Sequence, residues 1–274
     1  MKTILIVFGI FILLTLQSCA LVNVGAAYYK STDHFLAHGK DSRVLYEEGA
    51  EDFSNIIAEL MEGSVAAVES MHGEKFSQEI KVHICATLDS YQKHTTMIES
   101  RGATIGDKLF LSPSLLSRPE TTKSVLTHEL SHLHLAQKLG GITLYMNLPS
   151  WFQEGLATYV SEGGGAENVS ISDAERALET QSFFMPDDSG SLLQIKNAGS
   201  YGFTQRYSDP FLAQNMYYRQ SSMFVAYLKR INGTGFSGLM DQILKGVDFE
   251  NAFISSYDSS LENLWNRFID EIRA

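Results

Sequence analysis

The sequence is poor in cysteine and proline and has no excess of positive charge. Its two cysteines, Cys19 and Cys85, exclude a disulfide framework, and its five prolines exclude a proline-rich chain. The 21 Lys and Arg against 32 Asp and Glu give a net charge of −11. This balance argues against nucleic acid as a partner, because phosphate contacts require a basic face. Since 44% of the 274 residues are apolar, we expect a globular chain with a sizeable core.

The N-terminus is typical of an export signal. Lys2 precedes the apolar run Ile4–Leu16, whose 13 residues are too few to cross about 30 Å of hydrocarbon as a helix. Directly after it, Leu16-Gln17-Ser18-Cys19 resembles the bacterial lipobox, in which small residues precede a cysteine that becomes lipidated. We expect a lipoprotein signal peptide at residues 1–18 and acylation of Cys19. The alternative is an ordinary signal peptide followed by a chance cysteine.

The lipobox predicts a location in the bacterial cell envelope, with the membrane as a partner through lipidated Cys19. Ala20 follows Cys19, so the aspartate of an inner-membrane retention signal is missing. In a bacterium with two membranes, the outer membrane is therefore expected. The second cysteine, Cys85, lies in the alternating run 80–86, and we expect it to be buried and unreactive.

The rest of the chain divides into a tether and one domain. Residues 19–42 contain little periodic apolar pattern and are expected to form the tether. In the domain, residues 43–274, we expect about 43–160 to hold the strands and about 161–274 to be mainly helical. Because the strands come first and most helices later, the sequence indicates an α+β fold.

Hydrophobic periodicity and turn residues give the elements of this domain. Strands are predicted at 80–86 and 108–112. Helices are predicted at 43–71, 88–99, about 117–139, from 150 onward, and at 211–231, 236–244 and 261–272, with a loop at about 185–210.

The helix predicted at 117–139 contains His128-Glu129-Leu130-Ser131-His132, the HExxH pattern. Residues four apart lie on one face of a helix, so both imidazoles can bind one metal ion. Glu129 lies one step round the helix, where its carboxylate can take a proton from a metal-bound water without being a ligand. The alternative is a helix whose histidines are merely exposed or serve as caps.

A catalytic zinc site needs a third protein ligand and an open fourth position. The extended pattern HExxHxxGxxH fails here, because its later positions are Leu135 and Lys138. His134 lies about 200° round the helix from His132 and cannot join the site. We expect His134 at the surface or in a supporting position.

HELSH followed by Trp151-Phe-Gln-Glu154-Gly-Leu-Ala157 resembles the gluzincin zinc metallopeptidases, in the branch called peptidase MA-like. The resemblance implies that Glu154 is the third ligand of one zinc ion. The alternative is a solvated carboxylate near a helix N-terminus. It also implies a gluzincin-type domain, with a small, mostly antiparallel sheet, an active-site helix and a helical C-terminal part. The two motifs are further apart than in the related aminopeptidase branch, and we expect a loop at Gly140–Leu148 to absorb the difference.

The resemblance extends to two weaker segments. Tyr217-Tyr218-Arg-Gln-Ser221 resembles the family's helix in which a tyrosine, followed by a small residue three positions later, donates a hydrogen bond to the oxyanion. It implies this role for Tyr218, with Tyr217 as the fallback and a core tyrosine as the alternative. Residues 101–112 resemble the edge strand beside which a peptide substrate lies. Their nearest acid is Asp107, which does not support exopeptidase specificity.

These residues predict a zinc metallopeptidase acting on a peptide or protein. Zinc would lower the pKa of its water to about 7, Glu129 would act as general base, and Tyr218 would stabilise the oxyanion. Two alternatives remain: a non-catalytic envelope lipoprotein, a scaffold or assembly factor, that retains the zinc site, and a zinc amidase acting on a non-protein amide.

Overall fold

The computed structural model describes residues 29–97, 99–180, 186 and 209–274. The predicted signal peptide and Cys19 lie outside the described residues, as does most of the loop predicted at 185–210. No helix within the described ranges is both long and apolar enough to cross a membrane.

One five-stranded sheet lies in the first half of the chain. Its strands are β1 (Leu36–Ala37), β2 (Val44–Tyr46), β3 (Val82–Ile84), β4 (Gly102–Ile105) and β5 (Lys108–Leu111), in the order β1-β2-β3-β5-β4. The outer pairs β1–β2 and β4–β5 are antiparallel, whereas β2–β3 and β3–β5 are parallel. The expectation of a mostly antiparallel sheet is therefore wrong. The reason is that the central strands are joined by helical crossovers rather than by hairpins.

The helices of the described ranges follow and surround this sheet. They are α1 (Glu51–His72), α2 (Leu88–Thr95), α3 (Thr122–Leu139), α4 (Gly141–Asn147), α5 (Ser150–Val160), α6 (Ile171–Glu179), α7 (Pro210–Ile231), α8 (Gly233–Leu244), α9 (Phe249–Tyr257) and α10 (Leu261–Arg273). Two short 3₁₀ segments, Pro113–Ser117 and Pro119–Thr121, lead into α3. The small sheet and the helical remainder confirm the α+β class.

Three sequence expectations differ from the structure. The helix predicted at 43–71 begins only at Glu51, because residues 44–46 form β2. The last part of the predicted tether is ordered, since β1 pairs with β2 and Phe35 is buried. The loop predicted at Gly140–Leu148 is mostly helix α4. Strands of two or three residues are too short for periodicity to reveal them.

Two hydrophobic cores meet at α3. The first packs α1 and α3 against the sheet and includes Leu126, Leu130 and Leu133 of α3. The second joins α5 and α7 with the C-terminal helices and includes Leu135 at the other end of α3. Helix α3 is thus held between the sheet part and the helical part. As expected, Cys85 is fully buried, and burial raises the pKa of its thiol to about 12.

Candidate metal centre

The two histidines of HELSH and Glu154 converge on one point. His128 and His132 lie one turn apart on α3, and their Nε2 atoms are 3.1 Å apart. Glu154, near the start of α5, places Oε2 3.3 Å from the first and 3.4 Å from the second. Ligands of a tetrahedral zinc ion with bonds of about 2.0–2.1 Å are about 3.3–3.4 Å apart. The three atoms therefore have the spacing that one zinc ion requires.

The chemistry of these groups, like their spacing, suits a cation. Glu154 Oε2 is buried and has no hydrogen-bond partner among the described residues, and such an atom in a protein interior calls for an ion or a water molecule. Solvent still reaches the site, because 17% of the His132 side chain and 22% of the Glu154 side chain are exposed. A small molecule can therefore approach the three donor atoms.

The charge of the centre is set by Glu154. Burial alone would raise the pKa of this carboxyl group, but the two adjacent imidazoles outweigh it and hold the pKa well below its usual range. Burial alone would lower the pKa of His132, but the neighbouring Glu154 carboxylate outweighs this effect and raises the pKa above its usual value. Glu154 is therefore ionised at neutral pH and supplies one negative charge to a bound cation.

A glycine-rich loop after α5 orients His128. Nδ1 of His128 lies 2.9 Å from the carbonyl oxygen of Gly164, to which it donates a hydrogen bond. This bond fixes the tautomer that leaves the Nε2 lone pair free for a metal ion. The loop is held in turn by Ser161 Oγ, which accepts a hydrogen bond from Gly164 N at 3.0 Å, and by Arg219, which donates to Val169 O at 2.9 Å and Ala166 O at 3.1 Å.

Glu129 lies beside the edge strand β4 rather than among the ligands. Its residue is only 9% exposed, and Thr104 Oγ1 of β4 lies 3.0 Å from its Oε2 and 3.0 Å from its backbone oxygen. The single hydroxyl hydrogen is shared between these two acceptors. The contact limits the rotamers of Glu129 and leaves its other carboxylate oxygen available.

The structure brings Tyr218, and not Tyr217, to His128. The Tyr218 ring stacks on His128 with a centroid distance of 5.8 Å, and its hydroxyl accepts a hydrogen bond from Gln214 at 3.0 Å. Burial and the nearby Glu154 carboxylate raise its pKa well above the usual value, so it stays a hydrogen-bond donor at neutral pH. The Tyr217 hydroxyl lies instead 2.9 Å from Ser150 Oγ, and its ring belongs to the helical core.

Two glycines make this arrangement sterically feasible. A Cβ on Gly155 would lie 2.7 Å from the backbone oxygen of Ser221, so α5 and α7 approach each other closely at the small residue three positions after Tyr218. A Cβ on Gly165, where φ is +81°, would lie 2.7 Å from the Tyr218 ring and 3.0 Å from the His128 ring. The close helix contact brings Glu154 and Tyr218 to the same centre.

Behind the centre, a hydrogen-bonded chain of buried side chains joins α3 to α1. His134 Nε2 donates to Glu74 O at 3.0 Å, so its Nδ1 accepts from His72 Nδ1 at 2.9 Å. Nε2 of His72 then accepts from the Ser131 hydroxyl at 3.0 Å. Burial lowers the pKa of both histidines, which keeps the chain neutral. His134 is fully buried, so the surface position allowed by the sequence analysis is wrong.

Sequence reasoning missed three of these supporting groups. Thr104 lies in the segment that resembles an edge strand, but nothing in the sequence indicates its contact with Glu129. Gly164 acts through its backbone oxygen, which no side-chain pattern reveals. His72 ends α1, and nothing in the sequence around it indicates its bond to His134, which lies 62 residues later in the chain.

Comparison with known proteins yields a structural likeness only. No family model and no curated protein matches the sequence. The structure is similar to that of leukotriene A4 hydrolase from Saccharomyces cerevisiae, with a TM-score of 0.50 and 16% sequence identity over 86% of this chain. The chain spans 39% of the length of that protein. At this identity the likeness shows the fold alone.

The geometry predicts which carboxylate holds zinc. Losing a group that only supports a ligand typically lowers metal affinity about 10–100-fold, and losing a ligand should lower it further. Glu154→Gln should therefore weaken high-affinity zinc binding by more than about 100-fold. Glu129→Gln, the same substitution in the same site, should leave the affinity within about threefold of wild type. Competition with a chromogenic chelator measures both. Equal zinc affinity in the two variants would contradict the ligand assignment.

Proposed function

We propose that the protein is a zinc-dependent hydrolase, and more specifically a peptidase that cleaves an amide bond with an activated water molecule. The observation that carries this proposal is the placement of Glu129, which follows His128 on α3 and is held by Thr104, outside the set of three converging donor atoms. A purely structural zinc site uses four protein ligands, whereas a catalytic one uses three. The described residues supply three at this centre, together with one carboxylate free to act as a base.

The residues of the chain have separate tasks in this mechanism. Zinc, when bound, supplies Lewis-acid chemistry and a lowered pKa of water. Glu129, held by Thr104, accepts the proton from the attacking water and returns it to the leaving amine. Tyr218 donates a hydrogen bond to the oxygen on which negative charge develops. His128 is kept in one tautomer by Gly164 throughout.

Strand β4 supports a peptide as the substrate. It is the last strand of the sheet and pairs only with β5 among the described residues. Its other edge can therefore form backbone hydrogen bonds with an extended chain. Because Thr104 of this strand contacts Glu129, a peptide lying along β4 would pass the base and the ligands.

Turnover tests the role of Glu129. Glu129→Gln should reduce the hydrolysis of a quenched fluorescent peptide library at least about 1,000-fold, because the amide cannot accept the proton. Zinc content should stay at the wild-type value. Cleavage products are identified by mass spectrometry with the full-length protein in detergent. Retained turnover in this variant would refute the mechanism, and a zinc-loaded wild type that cleaves no peptide would favour the scaffold or amidase alternatives.

A pair of tyrosine variants tests the oxyanion donor. Tyr218→Phe should lower kcat by about 100-fold or more with little change in KM, because the lost hydrogen bond forms only in the transition state. Tyr217→Phe removes the same atom one residue away, where the hydroxyl faces Ser150, and should change kcat less than about threefold. If both variants lose activity equally, the assignment of the donor to Tyr218 is wrong.

We propose further that the protein is held at a membrane of the bacterial envelope by lipid on Cys19. The support is the lipobox-like sequence Leu16-Gln17-Ser18-Cys19 directly after the apolar run. Growth of an expressing bacterium with an alkyne-tagged fatty acid should label the wild type and the Cys85→Ala control. The Cys19→Ala variant should carry no label. Labelling of that variant, or an unlabelled wild type, would rule out this anchor.

A further inference from the structure

A second group of metal-binding side chains lies near the start of the described chain. His34, Glu47 and His94 each offer one donor atom, and these atoms lie within 4.8 Å of one another. Glu47 follows β2, His94 lies near the end of α2, and His34 belongs to the segment before β1. None of these residues takes part in the centre at His128.

Glu47 is fixed in place at this cluster. Its Oε2 accepts a hydrogen bond from the backbone N–H of Ala86 at 2.8 Å, and its Oε1 accepts one from the Ser90 hydroxyl. Nε2 of His34 lies 3.0 Å from the same Oε1. Only 13% of the Glu47 side chain is exposed, so the carboxylate is a preformed anchor for a cation.

His94 contributes a buried atom without a partner. The residue is 3% exposed, and its Nδ1 has no hydrogen-bond partner within the described part of the chain. The ring stacks on Phe110 at 5.1 Å and on His34 at 5.6 Å. Burial lowers its pKa to about 4, so the ring is neutral at physiological pH. A buried imidazole nitrogen left unpaired is costly, and an ion is one group that can satisfy it.

We propose that His34, Glu47 and His94 form a second metal site, for a divalent transition-metal ion such as zinc. Two imidazoles and one carboxylate are a donor set that zinc accepts. Tetrahedral ligands are about 3.3–3.4 Å apart, so the cluster must contract by up to about 1.5 Å. Nε2 of His34 already lies 3.0 Å from Glu47 Oε1, so this contraction concerns the distances to His94, and the His34 side chain, 54% exposed, has the room to follow it.

The surroundings predict that this site is the weaker of the two. Lys30 and Lys108 lie close enough to lower the pKa of His94 further, and their positive charges also oppose a cation. The Lys30 ammonium contacts the residue that precedes His94 in the chain, since its Nζ donates to Lys93 O at 3.2 Å. The site should therefore fill at higher zinc concentrations than the centre at His128, and the two should appear as separate steps of a titration.

Occupation of this site would fasten the N-terminal segment to the sheet. That segment is held by β1, which has only two residues, by buried Phe35 and by a few hydrogen bonds such as that of Lys30 to Lys93 O. A bound ion would add a link between residue 34, the end of β2 and α2. Because an ion that binds only the folded protein stabilises it, zinc should strengthen the attachment of the segment that leads to the proposed lipid anchor.

The experiment uses the full-length protein in detergent with the Glu154→Gln substitution, which removes the stronger site. Calorimetric titration with zinc should still show about one equivalent bound per chain, and zinc should raise the thermal unfolding temperature. Adding His34→Ala should weaken this binding more than about 100-fold, because it removes a ligand, and should abolish the thermal shift. His38→Ala is the matched control, because His38 lies in the same segment but bonds Asn55 at 3.1 Å, and it should change neither measurement.

The outcomes separate this proposal from the proposed function. If Glu154→Gln binds no zinc up to high micromolar concentrations while wild type binds one equivalent, the second site is refuted and the first stands. Binding that persists unchanged in His34→Ala and in His94→Ala also refutes it. Two equivalents in wild type, one in either single-site variant and none in the combined variant are the expected result.

Discussion

The convergence of one carboxylate on two imidazoles is the constraint on which the arrangement of the helices depends. His128 and His132 share α3, whereas Glu154 comes from α5, and their donor atoms are held 3.1–3.4 Å apart. Bringing such polar atoms together in a buried space costs free energy, so either packing must hold them there or an ion must lie between them. Here α3 is fixed by two cores, and α5 is fixed by its close contact with α7 at Gly155.

The groups around the centre are oriented by different parts of the fold. Gly164, in a loop, orients His128; Thr104, on the sheet edge, orients Glu129; and α7 presents Tyr218. The chain through Ser131 and His72 fastens the opposite face of α3 to α1. His128 and Glu129 therefore each have a supporting contact from an element other than their own. Groups preorganised in this way do not have to be ordered again at each reaction cycle.

The sequence predicted the centre better than the sheet that supports it. HELSH is a local pattern on one helix, so periodicity alone places His128 and His132 on one face. Glu154 was assigned by resemblance. The chain passes through α4 before α5 places Glu154 next to the histidines, and no local sequence pattern indicates this return. Strands β1 and β2 were missed since they have two and three residues. The bond between His72 and His134 joins positions 62 residues apart, which one sequence cannot pair.

The position of the centre also links metal binding to the packing of the whole domain. The histidines lie on the helix shared by both cores, and Glu154 lies on α5, whose buried side chains Trp151, Phe152 and Leu156 belong to the helical core. A metal ion bound by both histidines and Glu154 would therefore join the sheet part to the helical part, and its binding free energy would add to the stability of their contact. Because Glu154 is kept ionised by its two neighbours, the metal-free protein already carries the charge that an ion needs. Folding thus brings the three donor groups together with the carboxylate already ionised.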